Sequence, residues 1–177
     1  MPNDRPFTLE PVSKSQMPLL AELARSIWEE WFTPLLGKAQ VAYMVDKFQS
    51  LPAMTHQVEK EGYEYYFLTD GGEVCGYMGI HPDPKDGLFL SKLYLRKSAR
   101  GQGFARKAFE ALCERAKRDW LPRIHLTVNK HNLQAIRVYE HLGLVRYGDT
   151  VTDIGSGFVM DDYLNEYKFY KDKKELF

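Results

Sequence analysis

The sequence predicts an α/β domain built around a mixed β-sheet, and three observations lead to this fold class. The first half of the chain contains two long stretches with apolar residues at helical spacing. From residue 63 the apolar period falls to two, as in a β-meander. In the second half strand and helix patterns alternate, which requires a sheet of mixed direction. With 177 residues and no internal repeat or linker, we expect a single domain over residues 1–177.

The first 50 residues predict one strand and two helices. The strand is "RPFTLEPV", and Ser15 is a candidate N-cap for the helix that continues to residue 32. Thr33-Pro34 predicts a break, after which a second helix covers residues 37–50. The apolar residues predicted to share one face of the two helices are Leu19, Leu20, Leu23, Ile27 and Trp31 in the first, and Val41, Met44, Val45 and Phe48 in the second.

The remaining elements follow from period-two patterns and turn signals. The stretch "YEYYFLTDGGEVCGYMGIHP" predicts two strands joined by a tight turn at Asp70-Gly71-Gly72, and "GLFLSKLYL" predicts a third. A helix over residues 104–118 precedes the strand "RIHLTVN". A further helix over residues 133–142 ends before Gly143, which suits a C′ position. The tail predicts two strands around a Gly/Ser turn.

Composition excludes several classes of protein. Lysine and arginine (24) balance aspartate and glutamate (24), so there is no global positive field, and we expect no nucleic acid partner and no membrane partner. No run of about 18 apolar residues and no signal-like N-terminus occurs, which favours a cytoplasmic protein. Cys75 and Cys113 are predicted to be free thiols, and no metal-ligand spacing is found.

The stretch "SARGQGFARKAF" has a glycine turn at Gly101 and Gly103, directly before a predicted helix. Such a turn binds anions through free backbone N–H groups and the helix dipole. A Walker loop is absent, and a dinucleotide fingerprint would need glycine where Arg106 stands. The fingerprint also needs an acidic residue at a strand end to bind the ribose. The residue at the expected distance is Asp119, which lies at a predicted helix end. Coenzyme A pyrophosphate remains, because Arg100 to Ala105 fits [QR]-x-x-G-x-[GA].

A second motif supports coenzyme A. The segment "NLQAIRVYEHLGL", from Asn132 to Leu144, fits N-x-x-A-x-x-x-Y-x-x-x-G-[FL]. With both motifs in order, residues 63–167 resemble the GNAT superfamily of acyl-CoA-dependent N-acetyltransferases. The resemblance implies a mostly antiparallel sheet of six or seven strands, splayed at the cofactor site and flanked by about four helices. It also implies acetyl-CoA as co-substrate, direct transfer in a ternary complex, and no metal.

The resemblance also implies roles for individual residues. Tyr139 would protonate the leaving thiolate; the alternative is a tyrosine that only packs on the sheet. Asn132 would contact the pantetheine arm or serve as an N-cap, and Asn129 is a secondary candidate. The backbone of the third meander strand would pair with pantetheine and polarise the thioester carbonyl, at Leu93, Tyr94 and Leu95. The pyrophosphate would lie on the glycine turn, at Arg100, Gly101, Gln102, Gly103, Phe104 and Ala105.

The general base stays open. One branch of the family carries a glutamate at the position occupied here by Phe89. Deprotonation of the amine is left to ordered water, to Tyr94 or to an acid elsewhere. His81 could also serve, although a histidine next to a strand end is more typical of a protein surface.

The acceptor is expected to be an amine, either a small molecule or a peptide. Two segments combine aromatic residues with carboxylates, "SIWEEWFTP" and "FVMDDYLNEY", and the second includes Asp161 and Asp162. Such residues suit a cationic amine, or equally a packed core with its acids in water. The lysine in "LSKLYL" and the "MDDY" tail faintly resemble polyamine acetyltransferases. A non-catalytic acyl-CoA sensor is a further alternative, and a homodimer is an expectation drawn from the family alone.

Overall fold

The structure is a computed structural model that describes residues 6–169. Its strands are β1 (Phe7–Pro11), β2 (Glu64–Asp70), β3 (Glu73–Asp83), β4 (Gly87–Leu95), β5 (Arg123–Asn129), β6 (Val145–Gly155) and β7 (Phe158–Lys168). Its helices are α1 (Met17–Leu36), α2 (Lys38–Met44), α3 (Leu51–Lys60), α4 (Phe104–Arg118) and α5 (Leu133–His141). Within the described residues, every helix is too short or too polar to cross a bilayer.

The seven strands form one open sheet in the order β1-β2-β3-β4-β5-β7-β6. The pairs β1–β2, β2–β3, β5–β7 and β6–β7 are antiparallel, whereas β4 and β5 are parallel. In residues 6–169 the parallel register consists of two pairs, Leu88 with Ile124 and Phe89 with His125. It therefore covers only the beginning of β4. The predicted fold class, a mixed and mostly antiparallel sheet with helices, is confirmed.

The described residues form two compact units. The N-terminal unit comprises residues 6–80 and 92–108. Its core packs one face of α1 against α3 and the meander strands, because leucine, isoleucine and methionine side chains recur along α1 with a helical period. The buried residues of this core are Met17, Leu20, Leu23, Ala24, Ile27, Met54, Tyr65, Phe67 and Tyr77.

The C-terminal unit comprises residues 81–91 and 109–169. Strand β7 lies between β5 and β6, and the alternating residues Ile124, Leu126 and Val128 bury one face of β5. On the other face, Arg123 donates to a carboxylate oxygen of Asp86 at 2.7 Å and of Glu166 at 2.8 Å. These ion pairs tie the loop before β4 to β5 and β7.

Helix α1 differs from its prediction at both ends. Ser13, rather than Ser15, caps a short 3₁₀ turn that leads into α1. The helix passes through Pro34 and ends at Gly37, which has a φ of 84°. Pro34 removes one N–H donor from the last turn without ending the helix there, and the positive φ of Gly37 is what turns the chain. Leu19 is 51% exposed, so it is not part of the buried face.

The segment after α2 departs further from expectation. Residues 45–49 form a π-helical turn, which has one more residue per hydrogen-bonded loop than an α-helix. The extra residue rotates the following positions, so that Gln49 is buried and Phe48 is only half-buried. The sequence analysis also missed α3. This helix is largely polar, and Met54 is its one buried residue, so its sequence shows little apolar periodicity.

Candidate functional site

The glycine turn lies between β4 and α4, as predicted. Gly101 and Gly103 have φ values of 75° and 80°, and a Cβ at either position would have no atom within 4 Å. The Gly103 carbonyl accepts from the Lys107 amide at 3.1 Å, so α4 starts there. Within the described residues, the amides from Gly101 to Ala105 donate to no protein acceptor. The turn is therefore open and rich in free donors, which is what an anion requires.

Two polar side chains of the turn are used to hold it in place. The Arg100 guanidinium donates to the Leu95 carbonyl at 3.2 and 3.0 Å and lies 4.0 Å from the centre of the Trp31 ring. Its backbone amide donates to the Lys97 carbonyl at 3.3 Å. Gln102 donates from Nε2 to the Ser98 carbonyl at 3.0 Å. Arg100 thus joins the end of β4 to α1, a role that sequence reasoning did not anticipate.

Residues 93–95 form the last part of β4. The Tyr94 ring packs against Trp28 and Phe32 of α1 and Tyr77 of β3, with centroids 5.5–5.8 Å apart. Gly76 allows β3 to approach closely, because a Cβ there would lie 2.3 Å from the Tyr94 carbonyl oxygen. The backbone of residues 93–95 is thereby held by the packing of the Tyr94 ring and by the close approach of β3.

Helix α5 carries the second motif. The Asn132 side chain is buried and its Oδ1 accepts from the Ala135 amide at 3.3 Å, so Asn132 caps α5, which is one of the two roles considered for it. Its own amide donates to the Asn129 carbonyl at 3.0 Å. Tyr139 follows two turns later and is half-buried; desolvation raises the pKa of its phenol to about 12. The proton of Tyr139 is therefore retained at neutral pH.

The segment "SIWEEWFTP", the first of the two that combine aromatic residues with carboxylates, belongs mostly to the core. Trp28 and Phe32 are buried, and their rings pack at a tilt with centroids 4.2 Å apart, which supports the packing alternative for these two residues. Glu29 faces a cleft of about 530 Å³ in the N-terminal unit. That cleft also receives Glu22, Arg25 and Asp46, so its charged lining is mainly acidic.

Lys92 on β4, the lysine of "LSKLYL", is a buried cation, and the sequence analysis did not predict its burial. Its Nζ donates to the Phe48 carbonyl at 2.8 Å, to Gln57 Oε1 at 3.0 Å and to the Tyr65 hydroxyl. Burial lowers the pKa of this amine to about 7. The period of two along β4 places Lys92 on the face of Leu88 and Leu90, so the pattern did carry a signal for burial.

The second acidic segment has two different carboxylates. Asp161 lies 2.9 Å from Lys130 Nζ. Asp162 is 5% exposed, and within residues 6–169 its carboxylate takes part in no hydrogen bond or ion pair, Lys130 acting on it through charge alone. Desolvation, followed by the charge of Asp161, raises the pKa of the Asp162 carboxyl to about 6. Sequence reasoning named both acids together, and only the structure separates them.

The remaining candidates are the Phe89 position, one histidine and the two cysteines. The Phe89 ring packs at a tilt against the His125 ring, with centroids 5.1 Å apart. His81 is half-buried inside β3 rather than beyond a strand end. Both cysteines are unpaired, as predicted, and burial raises the pKa of the Cys75 and Cys113 thiols. Among the described residues no group of three or more His, Cys, Asp or Glu side chains could hold a metal ion.

The structure distributes the predicted residues over the two units. Residues 93–105, with the end of β4, the glycine turn and the start of α4, lie in the N-terminal unit. Asn132 and Tyr139 lie in the C-terminal unit, and so does Asp162. The glycine turn is thus part of one unit, and the Tyr139 phenol and the Asp162 carboxyl are parts of the other.

Comparison with known proteins gives a consistent result. Residues 20–144 match the model of the acetyltransferase (GNAT) family. An uncharacterized N-acetyltransferase from the pepI 3′ region of Lactobacillus delbrueckii subsp. lactis is 27% identical over 152 residues, which is 81% of this chain and 87% of the relative.

Two solved structures share the fold at low identity. The PaiA N-acetyltransferase of Thermoplasma acidophilum, solved in complex with coenzyme A, superposes with a TM-score of 0.69 and 14% identity over 93% of this chain and 99% of that one. A mutant of the spermidine N-acetyltransferase SpeG of Vibrio cholerae gives a TM-score of 0.64 and 16% identity over 92% and 93%. At these identities both comparisons concern the fold.

Proposed function

This chain belongs to the acetyltransferase (GNAT) family, and from that premise we propose that it transfers an acetyl group from acetyl-CoA to a primary amine of a small molecule, with a polyamine as first candidate. The family makes it an acetyltransferase. The cofactor site, the catalytic residues and the acceptor are the parts that the proposal adds.

One observation carries the cofactor site: the amides from Gly101 to Ala105 have no acceptor within the described part of the chain, and they open α4. Pyrophosphate would accept hydrogen bonds from these amides and interact with the positive end of the helix dipole. The positive φ values of Gly101 and Gly103 keep side chains out of the approach. Arg100 would support the turn through Leu95 and Trp31, and its guanidinium would add positive charge nearby.

The end of β4 would position the thioester. We assign the pantetheine arm to the backbone of Leu93, Tyr94 and Leu95, whose positions follow the short parallel register with β5. A backbone N–H in this segment would polarise the carbonyl as negative charge develops on its oxygen. The packing of Tyr94 and the close approach of Gly76 support this role, since an oxyanion donor must be held rigidly.

Tyr139 would act on the leaving thiolate. With its pKa raised to about 12, the phenol is a weaker acid than an ordinary thiol, which has a pKa of about 8.5. Complete proton transfer from Tyr139 alone would therefore be unfavourable. The phenol would donate a hydrogen bond as the C–S bond breaks, and pass on its proton only as it regains one from the attacking nitrogen.

Transfer would occur directly between the two substrates. A cysteine acyl-enzyme would need a thiolate, and burial disfavours that form at both Cys75 and Cys113. Cys113 also lies in the middle of α4, where its side chain is half-buried.

The acceptor proposal rests on the carboxylates of "MDDY" and on the polyamine enzyme among the structural neighbours. A peptide or protein amine is the second candidate, because N-acetyltransferases as a class also accept such amines. A non-catalytic sensor of acyl-CoA would have no use for a desolvated phenol at Tyr139, and this observation favours an enzyme.

The experiment is a panel assay with the full chain. Acetyl-CoA is incubated with spermidine, putrescine, single-amine compounds and a lysine peptide, while free thiol is followed and products are identified by mass. We expect thiol release coupled to acetylation of at least one small amine. If the peptide alone were acetylated, a peptide amine would replace the small amine as the proposed acceptor. Tight acetyl-CoA binding without any acetylated product would overturn the proposed function in favour of a sensor.

A further inference from the structure

Asp162 is a buried carboxyl that nothing in the described part of the fold requires. It lies on β7, where it faces Asn129 of β5 and Thr150 of β6 across the two registers. Both neighbours are uncharged, and the residue is 5% exposed. A buried carboxylate without a hydrogen bond or a cation carries a substantial desolvation cost. Since packing would be served equally well by an apolar residue, this cost suggests a functional explanation.

The charged groups around Asp162 are engaged with other partners. Lys130, in the loop after β5, is 2.8 Å from Asp149 of β6 and 2.9 Å from Asp161 of β7. Its ammonium is therefore shared by two other carboxylates. Arg146 of β6 lies 3.5 Å from the centre of the Tyr163 ring. Lys130 is thus paired with Asp149 and Asp161, and Arg146 lies over an aromatic ring, so Asp162 is left available to a cation from outside.

The position of Asp162 connects it to the helix that carries the phenol. Its cross-strand partner Asn129 accepts a backbone hydrogen bond from Asn132, the N-cap of α5. The next residue of the loop, Lys130, donates from its amide to the Asp161 carbonyl at 3.1 Å. Asp162 and the start of α5 are therefore held together within the C-terminal unit, and Tyr139 follows on that helix about 10 Å along its axis.

We propose that Asp162 is the general base of the reaction: its carboxylate receives the acceptor as an ammonium ion and removes the proton that blocks nucleophilic attack. This inference rests on the proposed function, because it presupposes an amine acceptor and acetyl-CoA. Asp162 would take the role of base that a glutamate has in one branch of the family and that Phe89 of β4 cannot perform.

Protons and electrons balance over the transfer. One ammonium proton moves to the Asp162 carboxylate, and the freed nitrogen lone pair forms the C–N bond to the acetyl carbon. The C–S bond then breaks, and its electron pair leaves with sulfur. Sulfur gains the phenolic proton of Tyr139, and the phenol is restored by the second nitrogen proton. Asp162 finally returns its proton to water, so that one proton is released per acetyl group transferred.

The protonation behaviour of Asp162 fits this task. Desolvation is the main cause that raises its pKa to about 6, Asp161 adds to the increase, and Lys130 opposes it. A carboxyl of this kind is ionised at neutral pH and is a stronger base than an exposed aspartate.

The test compares Asp162→Asn with wild type, using the amine that wild type acetylates. Asp149→Asn is the matched control, because it removes a carboxylate on the neighbouring strand that is exposed and already paired with Lys130. We expect Asp162→Asn to lower kcat/KM for the amine at pH 7 by about 100-fold or more. Acetyl-CoA affinity should stay within about twofold, and Asp149→Asn should stay close to wild type.

The pH profile separates a base from a structural residue. Wild-type kcat/KM should rise through pH 6 and then level off. Asp162→Asn can use only amine that is already neutral, so its kcat/KM should rise about tenfold per pH unit up to the pKa of the amine. Asp162→Glu restores a carboxylate and should recover part of the activity together with the plateau.

Three results would overturn the inference while the proposed function stands: near-normal activity of Asp162→Asn, an equal loss in Asp149→Asn, or a lower rate with an unchanged wild-type pH profile. Failure of wild type to acetylate any amine would instead remove the proposed function, and the inference with it. Circular dichroism spectra and acetyl-CoA affinities of the variants are compared with those of wild type. Near-identical values show that the kinetic comparison is made between folded proteins.

Discussion

Two side chains of the C-terminal unit, Tyr139 and Asp162, show how burial sets the chemistry of single residues. Desolvation raises the pKa of both groups, and the consequences are opposite. The phenol keeps its proton at neutral pH, whereas the carboxyl is ionised and therefore costs stability. One residue is suited to donate a proton, and the other to accept one.

Replacing Tyr139 by phenylalanine removes the hydroxyl and leaves the ring that packs in α5. Because the role proposed for the hydroxyl is confined to the step in which the C–S bond breaks, we expect kcat to fall by about 100-fold and the dissociation constant for acetyl-CoA to change little. Steady-state kinetics and calorimetry measure the two quantities. Tyr147→Phe, at an exposed tyrosine of β6, is the control. Equal kcat values for Tyr139→Phe and wild type would remove Tyr139 from the mechanism.

Asp162→Asn should increase stability in a pH-dependent way. The folded-state pKa of about 6 lies above the ordinary 3.8, so the folded protein binds a proton more tightly than the unfolded chain. The carboxyl therefore costs nothing below pH 3.8, and its cost grows as the pH rises to 6. Between pH 4 and pH 7.5 the variant should gain about 2 kcal/mol in free energy of unfolding relative to wild type, after a discount for solvent screening. Urea titrations measure this difference, and an unchanged difference would contradict the burial argument.

Residue roles were only partly readable from the sequence. Both motifs identified the turn and the helix, but the partners of Arg100 and the lack of a partner for Asp162 within residues 6–169 depend on residues far away in the chain. The burial of Lys92 could have been predicted, since strand alternation places its side chain inward. For Asp162 no pattern along β7 separates the buried acid from the paired acid beside it.

At the level of elements, the glycine turn makes the sharpest prediction. A Cβ at Gly101 would meet nothing within 4 Å, yet its φ of 75° is unfavourable for alanine by about 1 kcal/mol. Gly72, with a φ of 86° and equally open surroundings, is a matched control in the hairpin turn between β2 and β3. We expect both alanine variants to lose similar stability and only Gly101→Ala to bind coenzyme A more weakly. Equal affinities measured by calorimetry for the two variants would contradict an amide cradle at Gly101–Ala105.

Strands β4 and β5 and helix α4 match their predicted bounds because sharp turn signals and a clear period delimit them. Helix α1 does not, because Pro34 was given the role of a break that Gly37 performs. Helix α3 was missed because only Met54 is buried on it, so there was little apolar period to detect. The end of α1 is thus set by a local backbone signal at Gly37, whereas α3 depends on tertiary packing more than on local pattern.

For the molecule as a whole, the two motifs together were enough to predict the fold. The family match over residues 20–144 and the structural neighbours agree with that prediction. The acceptor has no comparable signature, because it would be recognised by side chains brought together from distant segments. This is why the cofactor was specified by the sequence more closely than the amine.

The central claim is that coenzyme A binds with its pyrophosphate on the open turn between β4 and α4. A crystal structure of the full chain with coenzyme A tests it most directly. We predict pyrophosphate oxygens about 3 Å from the backbone nitrogens of Gly101 to Ala105, and the pantetheine arm beside Leu93–Leu95. A pyrophosphate bound elsewhere, with these amides still free of any ligand, would contradict the claim.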